Sequence, residues 1–195
     1  SLWQRQEVQV LSRSLEVSRG GVVALFARPL LSRWGIALMH GLLIYILISA
    51  FSTEVVKMLY QPPPDLTVHE IHQLVIDTLE GLAVILIGYG VALEEREVLR
   101  DMSGLRLEPA QEAFEHQVDH LCHRAGLLLL LLGLFSEIAL KLVEIPNAVI
   151  NTASIETPVL TLSMLLQVLA IFVMLRHIWT LFFSESGHAR QSSSA

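Results

Sequence analysis

Apolar residues along this chain fall into four long blocks, at approximately residues 34–60, 68–94, 120–144 and 158–183. Each exceeds the roughly 20 residues that one helix needs to cross a bilayer core. The most lipophilic stretch, AGLLLLLLGLF at 125–135, lacks the polar face that a surface helix of a soluble domain carries. Barrel strands alternate over about 10 residues and do not run this long. The pattern therefore predicts an all-α integral membrane protein, a bundle of four transmembrane helices spanning residues 34–183.

What flanks the blocks is of a different kind. Within residues 1–33, Val8, Leu11, Leu15, Val22 and Leu25 recur at helical spacing while Arg5, Arg13 and Arg19 supply cations. That spacing predicts an amphipathic helix, either lying on the membrane interface or packed against a partner subunit. The QPPPD stretch at 61–65 ends the first block, since consecutive prolines cannot continue a helix. The charged connection 95–118 reads as helical on both sides of Ser103-Gly104, and residues 184–195 read as a flexible tail. The first 30 residues lack a signal-peptide pattern.

Composition sharpens the class. At 53% hydrophobic and 16% charged, the 195 residues are too apolar for an ordinary soluble domain. All eleven arginines fall before the first block, between the second and third, or at the ends of the third and fourth facing the same side. Lys57 and Lys141 border the opposite side. The positive-inside rule then predicts cytoplasmic N- and C-termini, and a bacterial inner membrane as the location. A single cysteine, Cys122, excludes an intramolecular disulfide and any cysteine-only metal cluster. No glycine-rich phosphate loop or nucleophile elbow occurs, so neither an enzyme nor nucleic-acid binding is expected.

Two sets of polar residues interrupt the apolar blocks. Asp77 and Glu80 lie in the second block, and Glu137, Lys141 and Glu144 in the third, all in the outer half of the bilayer by this topology. Charges inside a span are costly, so they pair or they function. Glu137 and Lys141 have the spacing and order of a favourable ion pair. One lysine among four carboxylates fits a polar clamp between helices, and equally leaves excess acid for a proton or cation path.

The second set is histidine. His116, His120 and His123, in EHQVDHLCHR, share one helix face at the cytoplasmic mouth of the third block. Three imidazoles at that spacing can hold a transition metal. His40 and His177 fall at a similar depth, so His40, His120, His123 and His177 form a candidate b-type haem set. The competing reading is of interfacial or packing histidines with no cofactor. The HEIH stretch at 69–72 lies on the opposite side, which excludes a two-cluster di-metal centre.

Three functions compete on this basis. The favoured one is a non-catalytic accessory, assembly or regulatory subunit of a larger membrane complex, contacting lipid and other membrane subunits or a second copy. Gly81, Gly88, Gly90, Gly126 and Gly133 would allow the close helix contacts this requires. The alternatives are an electron-transfer subunit holding haem b or a metal, and an oligomeric proton or cation conductor.

Overall fold

The structure, a computed structural model, describes residues 29–61, 64–102, 109–147 and 153–183. The expected amphipathic helix before residue 29 and the tail from residue 184 lie outside them. The described residues form α1 (Arg33–Ala50), a π-helical turn (Phe51–Val55), α2 (Val56–Tyr60), α3 (Val68–Glu94), α4 (Arg96–Met102), α5 (Pro109–Asn147) and α6 (Ala153–Phe183). Four segments are long and apolar enough to cross a membrane: Arg33–Thr53, Glu70–Glu94, Phe114–Glu144 and Ile155–Phe183. The fold class and the number of candidate spans thus agree with the hydrophobic pattern.

Local chemistry sets the helix starts. Ser32 caps α1 by accepting the Gly35 N–H at 3.1 Å. Thr67 and Glu70 form a capping box on α3: the Thr67 N–H donates to Glu70 Oε2 at 2.7 Å, and Thr67 Oγ1 accepts the Glu70 N–H. Pro109 opens α5, where a missing N–H costs nothing.

Two boundaries differ from the sequence expectation. The block at 34–60 is not one regular helix, because residues 51–55 open into a π turn. Ser52 and Thr53 both direct their hydroxyls to the Ser49 carbonyl, competing with the backbone ladder there. The third helix begins eleven residues before the apolar run, because the polar stretch from Pro109 continues the same helix without a break.

The helices alternate in direction. Gly90 faces Gly126 and Leu130, and Gly133 faces Ala83 and Ile87, so α3 and α5 are antiparallel. A Cβ added to Gly126 would meet Gly90 O at 2.6 Å and Glu94 N at 2.5 Å, so backbone touches backbone at this seam. Trp34 packs on Phe182 with ring centroids 4.8 Å apart, which places the start of α1 beside the end of α6. Both described ends of the membrane bundle therefore emerge at one end of the molecule, the end that also carries Arg33, Arg96, Arg100, Arg124 and Arg176.

The surface is apolar over most of its height. Leu38, Tyr45, Leu165 and Phe172 are 61–70% exposed, as expected of side chains that meet lipid. Inside, a larger core cluster surrounds Leu43, Leu86, Leu129 and Met174, and a smaller one at the opposite end joins Val55, Val75, Leu79 and Leu140. Leu82, Ala83, Leu86, Ala170 and Met174 make a dry layer across the middle of the bundle, each no more than 5% exposed.

Candidate functional site

Polar groups occupy four levels inside the bundle, two on each side of the dry layer. At the end remote from the arginines, His72 Nδ1 lies 2.8 Å from Glu156 Oε2, tying the first turns of α3 and α6. About two turns deeper along α3, Lys141 Nζ bridges Glu80 Oε1 at 2.8 Å and Glu144 Oε2 at 2.5 Å. The expected intramembrane cluster is therefore assembled around Lys141, with α3 and α5 contributing. Its partner assignment differs from the sequence expectation: Lys141 takes Glu80 and Glu144 rather than Glu137. Glu137 is half-buried, and its Oε2 is sealed from solvent without a hydrogen-bond partner. Asp77 is exposed on the outer face of α3 and, among the described residues, accepts from Gln73 at 3.2 Å.

Beside this cluster, Gln167, Ser136 and Ser163 are fully buried. Gln167 Nε2 donates to the Leu79 carbonyl at 2.7 Å, and the two serine hydroxyls bond each other at 2.5 Å. A buried amide or hydroxyl must find such partners in an apolar interior.

On the other side of the dry layer, α1, α3 and α6 bring His40, Tyr89 and His177 together. His177 Nδ1 is 3.0 Å from His40 Nε2, and the ring centroids are 4.9 Å apart. His40 Nδ1 faces two groups, the Ile36 carbonyl at 2.9 Å and the Tyr89 hydroxyl at 2.6 Å. His40 is fully buried and His177 is 4% exposed, yet His177 Nε2 has no hydrogen-bond partner. An orphaned buried polar atom costs about 1–3 kcal/mol, and among the described residues this one shares that condition with Glu137 Oε2, Gln167 Oε1 and Arg100 Nε.

At the arginine-bearing end, Arg96 is buried at the α3–α4 junction. It donates to the Leu31 carbonyl from Nε at 2.8 Å, to Glu115 at 2.8 Å, and to Asp119. Arg100 adds a 2.7 Å contact to Asp119. Burial opposes the Arg96 charge, but the Glu115 hydrogen bond and the neighbouring Cys122, Asp119 and Glu115 outweigh it and hold its pKa above the ordinary guanidinium value.

The residues singled out in the sequence thus separate into groups. His40 and His177 meet, as the depth argument allows, with their rings in direct contact through Nδ1 and Nε2. His116, His120 and His123 keep one helix face, and all three are exposed. His123 Nδ1 lies 3.8 Å from Glu94 Oε1. His120 and His123 do not join the His40–His177 pair. Among the described residues no three His, Cys, Asp or Glu groups converge as a metal site.

Several residues escaped the sequence reading. Tyr89 reads as one more aromatic in an apolar block. The Arg96–Asp119 network does leave a signal: Arg96 and Arg100 are four apart, as are Glu115 and Asp119, on helices joined by a short connection. Gln167, Ser136 and Ser163 leave little, since isolated small polar residues are common among leucines.

Comparison with known proteins finds no matching family model, no similar curated protein and no similar solved structure.

Proposed function

We propose that this protein is a non-catalytic accessory, assembly or regulatory subunit that docks side-on against a transmembrane helix of a different protein. The observation that carries this reading is the outer face of α3. Asp77, Gly81 and Gly88 lie along one stripe of that helix, and all three are exposed. A Cβ at Gly81 or Gly88 would meet nothing within 4 Å, whereas those at Gly90, Gly126 and Gly133 would strike the packed seam. The chain thus uses some of its glycines for its own packing and leaves three facing outward at bilayer depth, Gly41 alone on α1 and the pair Gly81 and Gly88 on α3, where paired small residues admit a second helix closely.

Asp77 gives the chemistry of the partner. A carboxylate on a lipid-facing surface is costly, and a basic or hydrogen-bond-donating side chain on the docking helix removes that cost. Charge disfavours a second copy as occupant, because two such faces would set Asp77 against Asp77. The arginine asymmetry supports the accompanying placement: a bacterial inner membrane, with the arginine-bearing end and both termini in the cytoplasm.

The test places a photocrosslinking residue at Val84, between the two glycines, and at Leu165 on α6 as a lipid-facing control, in native membranes. A discrete protein adduct is expected from position 84 and lipid adducts alone from 165. Gly81→Leu with Gly88→Leu should abolish the adduct without lowering the thermal stability of the chain. Lipid adducts alone at both positions, a self-adduct, or an adduct indifferent to the double substitution would each overturn the proposal.

A further inference from the structure

The geometry points to Tyr89, His40 and His177 as a neutral proton-exchange relay whose outlet, His177 Nε2, alternates between hydrogen-bond donor and acceptor. The inference does not depend on the docking face of α3.

It follows from counting protons. The 3.0 Å contact between His177 Nδ1 and His40 Nε2 holds one proton, so one ring donates and the other accepts. A neutral imidazole carries one N–H, so fixing that proton fixes the far nitrogen of both rings. Suppose His177 Nδ1 donates. His40 Nε2 is then bare, its proton sits on Nδ1 and is given to the Ile36 carbonyl, and His177 Nε2 is a bare acceptor. Suppose instead His40 Nε2 donates. His40 Nδ1 is then bare and accepts from the Tyr89 hydroxyl, and His177 Nε2 carries a proton. The Ile36 carbonyl can only accept, so it serves the first arrangement alone. The Tyr89 hydroxyl can donate, and it makes the second one available.

The interconversion balances. From the second arrangement, the proton on His177 Nε2, sealed from solvent in this conformation, leaves to a water admitted by local opening. The His40 Nε2 proton moves to His177 Nδ1, the Tyr89 proton moves to His40 Nδ1, and the phenol oxygen regains a proton from water at the arginine-bearing end. One proton enters, one leaves, and both rings end neutral. Neutrality is what this setting favours. Apart from Tyr89, the titratable neighbours are Cys122 on α5, buried, and Arg96 at the α3–α4 junction, whose charge acts on His177. On α6 the adjacent Arg176 is exposed, and α1 adds Arg33 at its first residue and an exposed Tyr45. A buried imidazolium would meet a cation and no carboxylate in this shell. The orphaned Nε2 is the expected mark of such an outlet, since no single fixed partner suits both arrangements.

The experiment is nitrogen NMR of the intact chain in lipid bilayers at neutral pH, with histidine labelled at both ring nitrogens and His40→Gln and His177→Gln used for assignment. In the unsubstituted chain, His177 Nε2 should show protonated and bare forms, resolved or in exchange. In Tyr89→Phe, which keeps the ring and its packing, both histidines should collapse to the Nδ1–H form. A single fixed tautomer in the unsubstituted chain overturns the relay. So does an identical spectrum in Tyr89→Phe. Should that variant fail to fold, the temperature dependence of the His177 signals decides: two forms exchanging support the relay, and one invariant form defeats it.

Discussion

Arg96 ties three parts of the chain with one side chain. Its guanidinium reaches the carbonyl of Leu31 just before α1, and Glu115 and Asp119 on α5, while its own backbone starts α4. Five fixed donors make this arginine's task, and a lysine ammonium could not span the same partners. Removing it leaves Asp119, itself 7% exposed, as a buried charge with only Arg100 beside it. Arg96→Ala should therefore lower unfolding stability by about 3–5 kcal/mol, measured by denaturant titration in bilayer nanodiscs. The double variant with Asp119→Ala should recover part of that loss, because the stranded charge is gone. At this scale the sequence is informative about type and poor about partner. It places His40 and His177 at one depth, but the hydrogen bond between them depends on how far α1 leans against α6, which no periodicity encodes. It ranks Glu137 as the lysine's partner on spacing, whereas Lys141 reaches across the seam to Glu80, because packed glycines bring α3 close enough for an interhelical contact.

Between helices, the seam of Gly90, Gly126 and Gly133 sets how near α3 and α5 approach. Gly126→Val would drive side-chain atoms into the backbone of Glu94 and Gly90, and neither can yield as a flexible side chain would. Overpacking of this kind costs about 1–3 kcal/mol or more, and it should also separate Lys141 from Glu80. A lower melting temperature for Gly126→Val, beside an unchanged one for Gly81→Leu, would confirm that the two glycine sets have different duties. Spacing alone groups these glycines together, since a heptad separates Gly81 from Gly88 and Gly126 from Gly133 alike; which pair turns inward is decided by the rotation of each helix. The π turn works similarly. It accommodates extra backbone in the first span and keeps Val55 at 1% exposure in the smaller core cluster. Deleting Ser52 should remove that extra residue and restore a regular helix with Val55 still facing the cluster, so thermal stability should change little; a large loss would show that the π turn itself is required.

At the scale of the whole molecule, the four-span architecture was legible because each span is long, apolar and bounded by charge or proline. The arginine asymmetry was equally legible, and the described arginines do gather at one end. A reporter fused after Phe183 tests the proposed placement: activity of a cytoplasm-dependent reporter is expected, and activity of one that requires export would reverse the orientation. The dry layer has a consequence of its own. Gln167 and His177 lie ten residues apart on α6, about 15 Å of helix, with only apolar side chains of α3 and α6 at the intervening level. In an energised membrane, voltage drops where the medium is least polarisable, so this thin slab carries a large share of the field. Crossing the full potential is worth about 2.3 kcal/mol per elementary charge for each 100 mV. The His40–His177 pair and the Lys141 cluster stand on opposite faces of that slab, so a charge carried from one to the other would work against a large share of the potential.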